Sequence, residues 1–162
     1  MTENGYKLLP IGQVKAGAGG YALKIEPQYC DALLGLDEFT HILVLWWSHY
    51  LDSPEHRSVL IAEQPYKNAP EKLGIFATRS PLRPNPICVS VTSVLDVDIK
   101  TGLITIPWID AEDGTPILDI KPYHPSSDRV AEVSMPMWCS HWPQSLEESA
   151  DFDWAAEFVN AR

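Results

Sequence analysis

Apolar and polar residues alternate along much of this chain with a period of two, which is typical of β-strands that bury one face. Other strands are indicated by short apolar runs that end at turn residues. The longest run, over residues 42–47, has the length of one buried strand. We therefore predict six or seven short strands, at residues 8–15, 21–25, 41–48, 59–62, 87–98, 103–108 and 117–120.

Helices are predicted in two places only. Residues 27–34 predict a short helix, with a proline in its first turn and a glycine directly after it. A C-terminal helix is predicted over about residues 145–160, because Ser145 and Glu148 fit a capping box and apolar residues follow at helical spacing. The 14 prolines fall between short strands, which excludes a helical bundle. The expected fold is mostly β: a small closed or nearly closed β-barrel with a short helix in the N-terminal half and a C-terminal helix.

Length and hydropathy favour one globular domain. The chain has 162 residues, of which 45% are hydrophobic, and we predict a single domain over residues 1–162. No apolar stretch reaches the roughly 18 residues that cross a bilayer, so we expect no membrane contact. The N-terminal sequence MTENGYKLLP lacks the pattern of a secretion signal, and we expect a cytoplasmic protein. Strands and helices do not alternate and no GxGxxG motif is present, which argues against a Rossmann-type domain.

Charge is distributed unevenly along the chain, whose formal net charge is −10. Residues 67–86 carry four cationic side chains and one acidic side chain, whereas residues 145–162 carry five acids and a single arginine. A protein that binds nucleic acid mainly through its phosphates is expected to have a basic face. This sequence offers one basic loop on an acidic body.

Cysteine and tryptophan bear on metals and partners. The three cysteines are widely spaced and odd in number, so we expect buried thiols rather than disulfides. Cys139 and His141 would begin a metal site, but no second pair follows at ligand spacing, and we predict no metal. Trp138 and Trp142 belong to a set of six tryptophans. They fit either a homodimer interface or a cover over the open end of the barrel.

Residues 74–86, with the sequence GIFATRSPLRPNP, are the most unusual part of the chain. Their prolines fix φ and remove backbone donors, so the run cannot pair as a central strand. Arg79 and Arg83 stand on this stiffened backbone and lose less entropy when they engage a ligand. The loop suits a carboxylate, a phosphate or a planar heterocycle. The alternative is a proline-rich surface turn with solvated arginines.

A second polar run leads into the last predicted strand. Asp110, Glu112 and Asp113 lie close to a Gly-Thr-Pro turn, and their carboxylates would accept hydrogen bonds from hydroxyls or an amine. The alternative is a polar hairpin tip, because Asp and Gly favour turns whatever their function.

Together, these two runs resemble the TsaA-like family, which includes the TrmO-type tRNA methyltransferases. The resemblance is carried by FATRSPLRPNPI at residues 76–87 and DGTPILDIKPY at residues 113–123. Residues 39–41 (FTH) and 11–12 (IG) are weaker landmarks, so the resemblance spans residues 11 to about 125. It implies a small β-barrel that binds S-adenosylmethionine, usually as a homodimer.

The reaction that the resemblance implies is N-methylation of a threonylcarbamoyl-modified adenosine in tRNA, with S-adenosylmethionine as the methyl donor. A methyltransferase of the same fold that acts on a small molecule is one alternative, favoured by the acidic composition. A non-catalytic S-adenosylmethionine-binding module is another. It arises because residues 15–20 stand where the family has a Pro-Arg-Gln segment that contributes to the cofactor site.

The resemblance also implies roles for single residues. From their place in the sequence we also predict that Arg83, Lys121 and Tyr123 line the substrate side, although Lys121 and Tyr123 also fit a plain strand exit. We expect Arg79 to be the most informative cofactor residue. The implied cofactor contacts are Ser48, His49, Arg79, Val89, Asp110, Ala111, Glu112 and Asp113.

A general base is needed because a carbamoylated adenine nitrogen is a poor nucleophile until it loses its proton. His49, Asp113 and Asp119 are the candidates by residue type, and the sequence does not choose among them. The alternative for His49 is that its ring packs against the cofactor.

Overall fold

The computed structural model describes residues 5–160, and the chain divides into two compact units. We call the first the sheet unit; it runs to Tyr50 and resumes over Ile87–Arg129. We call the second the loop unit; it contains Leu51–Pro86 and the described residues from Val130 onwards. The single domain over residues 1–162 stays a prediction.

Strands make up most of the regular structure within residues 5–160, and most of them lie where the alternation predicts them. They are β1 (Gly12–Gly17), β2 (Gly20–Ile25), β3 (His41–Trp47), β4 (Ile61–Glu63), β5 (Lys72–Gly74), β6 (Ile87–Ser93), β7 (Asp96–Asp98), β8 (Leu103–Ile106) and β9 (Pro116–Pro122). Strands β4 and β5 pair in the loop unit, and the other seven form the antiparallel sheet of the sheet unit in the order β6-β3-β9-β1-β2-β8-β7. The mostly-β prediction is confirmed.

The core of the sheet unit is built from alternate residues of these strands. In β3, Ile42, Val44 and Trp46 are buried while their neighbours are half-buried, as a period of two predicts. Val14 of β1 and Ile104 of β8 are fully buried in the same cluster. Removing these apolar side chains from water stabilises the sheet.

Gly12 allows β1 to approach β2 closely. It pairs with Ile25, and a Cβ atom at Gly12 would lie 2.3 Å from the carbonyl oxygen of Lys24. That oxygen belongs to the backbone and cannot rotate away. Any side chain at this position would therefore push the two strands apart.

The sheet is open, and the predicted closed barrel is wrong. A barrel closes when its two edge strands are hydrogen bonded to each other, but in the described chain β6 pairs with β3 and β7 pairs with β8. Between β6 and β7, the Val94 N–H donates to the oxygen of Thr40, just before β3, and the Leu95 N–H donates to the oxygen of Thr105 in β8, each at 2.9 Å. Over these two residues the chain therefore changes its pairing partner from β3 to β8. β6 and β7 run in the same direction, and a parallel pair needs a far longer crossover than these two residues.

The predicted short helix over residues 27–34 is present as the 3-10 helix Pro27–Leu33. None of the helices in residues 5–160 is long and apolar enough to cross a membrane. The α-helices are α1 (Pro54–Arg57), α2 (Pro125–Asp128), α3 (Leu146–Ser149) and α4 (Trp154–Glu157), and further 3-10 helices span Leu36–Glu38, His49–Leu51, Ile75–Ala77 and Met137–Cys139.

The predicted C-terminal helix over residues 145–160 is wrong, because α3 and α4 replace it. Ser145 caps α3 as predicted, since its hydroxyl accepts the Glu148 N–H at 3.2 Å. Asp153 then caps α4, since its carboxylate accepts the Ala156 N–H at 3.0 Å. An N-cap residue has non-helical backbone angles, so Asp153 ends any continuous helix at that point.

Candidate functional site

The loop of residues 74–86 is ordered by its own hydroxyl groups. The Thr78 hydroxyl donates to the Ile75 oxygen at 2.8 Å and accepts the Ser80 N–H at 3.2 Å. The Ser80 hydroxyl in turn accepts the Leu82 N–H at 3.2 Å. These hydrogen bonds between near neighbours take the place of the strand pairing that the prolines prevent. The backbone of the loop is therefore ordered by local hydrogen bonds.

Arg83 is folded back onto this loop. Its guanidinium donates to the carbonyl oxygens of Ile75 and Thr78, both at 3.1 Å, and lies 6.0 Å from the centre of the Phe76 ring. These contacts fix the loop from its own side. The substrate-binding role of Arg83 stays a prediction.

Arg57 holds the far end of the same loop and was missed by the sequence analysis. It donates to the Pro84 oxygen at 2.9 Å and to the Asn85 side-chain oxygen at 3.2 Å, and it pairs with Asp52 at 3.0 Å. A guanidinium presents its donors in a rigid fork, which suits three acceptors in fixed places. The local pattern showed only a polar connection, because the acceptors lie 27 and 28 residues further along the chain.

Arg79 has an exposed side chain and affects the pKa of Tyr66. Burial raises the pKa of Tyr66, while a hydrogen bond from the Arg79 backbone and the positive charge of Arg79 act in the opposite direction. The Arg79 side chain thus lies at the surface of the loop unit.

In the sheet unit, several predicted cofactor residues share one end of the sheet. We call it the Trp47 end: β3 finishes there, and Ile87, the first residue of β6, lies opposite Trp47. β9 also begins at this end, since Trp46 pairs with Ile117. The predicted cofactor residues that flank these strand ends are Ser48, His49, Asp110, Ala111, Glu112 and Asp113.

Asp113 is anchored to β1 near the end of that strand. Its carboxylate accepts the Ala16 N–H at 3.0 Å, and the Gly114 N–H donates to the Val14 oxygen at 2.8 Å. Asp113 and the glycines of residues 17–20 line a shallow concavity of about 360 Å³. The segment that departs from the family pattern and a predicted cofactor residue are therefore neighbours.

Val89 and Asp119 flank Leu45 on its two sides. Both pair with Leu45, Val89 across β6 and Asp119 across β9, so the three side chains form a row on one face. The Asp119 carboxylate pairs with Lys121 at 2.6 Å and accepts the Ile120 N–H at 2.9 Å. The hydrogen bond to Asp119 raises the pKa of Lys121.

Lys121 and Tyr123 lie away from the Trp47 end. Lys121 pairs with Leu43, and the Tyr123 N–H donates to the His41 oxygen at 3.0 Å. At the usual rise per strand residue, these positions are roughly 13 and 20 Å from Trp47 along β3. The sheet therefore separates the predicted substrate residues Lys121 and Tyr123 from the predicted cofactor residues at the Trp47 end.

Cys139 is buried in the loop unit, and burial raises the pKa of its thiol. His141 binds Glu157 instead, with 3.0 Å between its Nε2 and the carboxylate. Across residues 5–160, three or more His, Cys, Asp or Glu side chains are nowhere grouped as metal ligands would be.

These features define a class: a mostly-β protein with a proline-rich loop whose backbone is held by guanidinium groups. Residues 8–129 match the family model of the tRNA-methyltransferase O N-terminal domain, and the chain belongs to that family. The predicted family is therefore confirmed.

Relatives with assigned names fall into two groups. A probable S-adenosyl-L-methionine-binding protein of Pyrococcus horikoshii is 39% identical over 122 residues, which are 75% of this chain and 85% of that protein. The tRNA (adenine(37)-N6)-methyltransferase of Escherichia coli K12 is 33% identical over 125 residues, which are 76% of this chain and 52% of that enzyme. The predicted cofactor agrees with these names.

Solved structures of TrmO are similar in fold. The crystal structure of TrmO from Pseudomonas aeruginosa superposes with a TM-score of 0.60 at 29% identity, over 80% of this chain and 61% of that one. A second TrmO crystal structure gives 0.63 over 83% of this chain and 62% of its own. The chain thus spans about three fifths of these proteins.

Proposed function

We propose that this protein is an S-adenosylmethionine-dependent methyltransferase that methylates N6 of an adenosine in tRNA, in its threonylcarbamoyl-modified form. The observation that carries the proposal is the rigid loop of residues 74–86. Arg57 and Arg83 fix its backbone, and Arg79 extends from it in a chain of the TrmO family.

The chemistry of the side chains fits this cofactor. S-adenosylmethionine carries a carboxylate, which suits the Arg79 guanidinium, and an amine and ribose hydroxyls, which suit carboxylates. In the sheet unit, Asp110 and Glu112 are exposed acids beside Asp113 at the Trp47 end. The proposed cofactor contacts of the sheet unit are Ser48, His49, Val89, Asp110, Ala111, Glu112 and Asp113, and the proposed contact of the loop unit is Arg79.

When bound, S-adenosylmethionine supplies a methyl group on a positively charged sulfur. The protein has to place the acceptor nitrogen in line with the bond from that sulfur to the methyl carbon, and such alignment accounts for a large part of the rate. It also has to accept the proton that the acceptor nitrogen loses as the new bond to carbon forms.

We propose His49 as the general base. The carboxylate of Asp113 accepts the Ala16 N–H, and that of Asp119 is paired with Lys121. Both are therefore engaged within the sheet unit. The His49 ring lies 3.9 Å from the ring of Tyr50, an aromatic contact that leaves imidazole nitrogens for proton transfer.

Titration calorimetry with S-adenosylmethionine tests the cofactor proposal. Wild-type protein should bind saturably, Arg79→Ala should bind at least about tenfold more weakly because a charge-assisted contact is lost, and Arg129→Ala, an exposed arginine of the sheet unit, should match the wild type. Binding that Arg79→Ala leaves unchanged would contradict the proposed contact, and a wild type that does not bind would contradict the cofactor.

The acceptor is tested with tRNA that carries threonylcarbamoyl-adenosine and with the same tRNA without that modification. Incorporation of one methyl group into the modified adenosine, detected by mass spectrometry of the digested tRNA, is the expected result. Methylation of both tRNAs would contradict the threonylcarbamoyl requirement.

A small-molecule acceptor is the second candidate, and the formal net charge of −10 favours it. The two candidates differ in their dependence on salt. Binding to tRNA releases counterions from phosphates and should weaken steeply as salt rises, whereas binding of a neutral small molecule should not. Binding of labelled tRNA measured over a salt series separates them.

We also propose a homodimer. The face of β3 and β6 opposite to the core carries the half-buried apolar residues Leu43, Leu45 and Val91. Apolar residues on a sheet face are stabilised when a second surface covers them. Light scattering of the purified protein should give twice the chain mass of 18.1 kDa; a single chain mass would contradict the dimer.

A further inference from the structure

β9 is paired on both sides over only part of its length. Its residues 116 and 117 pair with Gln13 and Gly12 of β1, whereas residues 119–122 pair with β3. Within residues 5–160, no strand pairs with residues 119–122 on the side of β1. We call this side of residues 119–122 the free edge of β9. It lies between two neighbouring strands of the sheet, where the course of the chain leaves a gap.

The free edge of β9 offers hydrogen-bond acceptors. The Tyr123 N–H donates to the His41 oxygen at 3.0 Å, just before β3 pairs with β9. Successive residues of an antiparallel strand direct their backbone groups to alternate sides, so Ile120 and Pro122 direct theirs away from β3. The Ile120 N–H is bonded to the Asp119 carboxylate at 2.9 Å, and proline has no N–H. This edge therefore presents carbonyl oxygens to a ligand.

A cavity of about 320 Å³ lies beside this edge, within the sheet unit. The 3-10 helix Pro27–Leu33 and the residues that follow it also line the cavity. Most of the lining side chains are apolar, among them Ile25, Leu36 and Ile120. Ligand sites in proteins have volumes of roughly 300–1,000 Å³. The cavity thus has room for a small ligand with an apolar body.

Asp119 brings a carboxylate to the same cavity. One of its oxygens accepts the Ile120 N–H, and the other pairs with Lys121. An ionised carboxylate has about four acceptor sites, so Asp119 is able to accept a further hydrogen bond. Together with the carbonyl oxygens of the free edge, it suits a ligand that donates hydrogen bonds.

The charge of the segment that lines the cavity has one sign. Residues 25–40 contain four acids and no lysine or arginine. The acids, all of them exposed, are Glu26, Asp31, Asp37 and Glu38. Acidic surroundings raise the local concentration of cations. They therefore favour a positively charged ligand over a negatively charged one.

We infer that this cavity is a second binding site, which takes a small organic cation: a protonated amine on an apolar body. The amine donates to Asp119 and to the carbonyl oxygens of the free edge, and the body packs against the apolar walls. The proposed cofactor contacts all fall within the described residues, and they are not among the residues that line this cavity. The inference thus goes beyond the proposed function and does not depend on it.

The test uses two probes with the same apolar body and opposite charge at neutral pH, phenethylamine and hydrocinnamate. Each is titrated into isotope-labelled protein, and binding is followed by the amide NMR spectrum. Phenethylamine at millimolar concentration should shift the resonances of Leu33, Gly35 and Ile120. Hydrocinnamate should bind at least about tenfold more weakly, because its carboxylate faces acceptors and acids. Equal binding of the two probes, or binding of neither, would overturn the inference.

Two variants locate the site. Ala32 lines the cavity and is exposed, so Ala32→Trp should fill the cavity and abolish the shifts that phenethylamine causes. Ala18→Trp, at an exposed turn position, is the matched control and should bind like the wild type. Asp119→Asn keeps the shape of the side chain and removes its charge, which should weaken amine binding by about three- to tenfold. Undiminished amine binding by Ala32→Trp or by Asp119→Asn would contradict the inference.

S-adenosylmethionine is itself an organic cation, so a competition experiment shows whether the two sites are separate. The shifts caused by phenethylamine should persist when S-adenosylmethionine is added in excess. Displacement of the amine would overturn the second site and would place the cofactor in this cavity instead. A wild type that fails to bind S-adenosylmethionine would contradict the proposed function, while the two probes would still decide the inference.

Discussion

Arg57 donates a hydrogen bond to the carbonyl oxygen of Pro84 over 2.9 Å, although 27 residues separate the two along the chain. A segment rich in proline has carbonyl acceptors in excess of backbone donors. In this loop the missing donors come from side chains, from Arg57 at one end and from Arg83 nearer the start. The motif therefore depends on a residue well outside it.

Arg57→Lys should lower the affinity for S-adenosylmethionine by about three- to tenfold, because one ammonium cannot replace a planar fork that serves three acceptors. The measurement is calorimetry of the variant, with Arg129→Lys as the control for the same change at an exposed site. Equal affinities for Arg57→Lys and the wild type would show that the ligand does not depend on this anchor.

Acid should destabilise the loop unit through Glu157. Burial would raise the pKa of Glu157, but the hydrogen bonds from His141 and Trp142 outweigh it and leave the pKa below the ordinary value of 4.5. The folded protein thus binds this proton less tightly than the unfolded chain. The contribution of the ionised Glu157 carboxylate to the stability of the fold is complete above the ordinary pKa. It decreases as the pH falls through the lowered pKa of the folded protein.

Urea unfolding between pH 7 and pH 3, compared between wild type and Glu157→Gln, measures this contribution. The variant should be less stable at pH 7 by on the order of 1–3 kcal/mol, the cost of losing a charged hydrogen-bond acceptor at a buried site. The two curves should converge at low pH. A constant difference over the whole pH range would contradict a role for the ionised carboxylate.

Gly12→Ala should destabilise the sheet unit by about 1–3 kcal/mol, because the new methyl group would overlap the Lys24 carbonyl. Gly17→Ala is the matched control in the same strand, since a Cβ there meets no atom within 4 Å. Chemical denaturation of the two variants gives the comparison. Equal stabilities would mean that β1 and β2 adjust without cost.

The general base is tested by His49→Gln and Asp119→Asn. His49→Gln should lower kcat for methyl transfer by on the order of 100-fold, the usual contribution of a positioned base. Asp119→Asn breaks an exposed ion pair with Lys121 and should change stability by less than about 1 kcal/mol. Calorimetry with S-adenosylmethionine separates binding from chemistry. A larger kcat loss for Asp119→Asn than for His49→Gln would point to Asp119 as the base.

The sequence was sufficient for the elements that local patterns determine. The alternation over residues 41–48 located β3 and its buried face, and the prolines of residues 74–86 excluded a central strand. The same alternation ran through Val94 and Leu95, where the strand leaves one edge of the sheet for the other, because periodicity contains no information on pairing partners. The barrel prediction failed for that reason.

The candidate site divides in the same way. Arg79 stands in an unusual motif and could be found from the sequence, whereas Arg57 is a single residue in ordinary surroundings. Its importance comes from a contact with Pro84, in a distant part of the chain. One sequence without the structure gives no means of finding such pairs.

The course of the chain through its two units has a consequence for how the protein is made. The last residue of the sheet unit, Arg129, leaves the ribosome before Trp138 and the other residues that pack on Tyr66 in the loop unit. Since segments that emerge first generally fold first, the sheet would form before the loop unit has all of its parts.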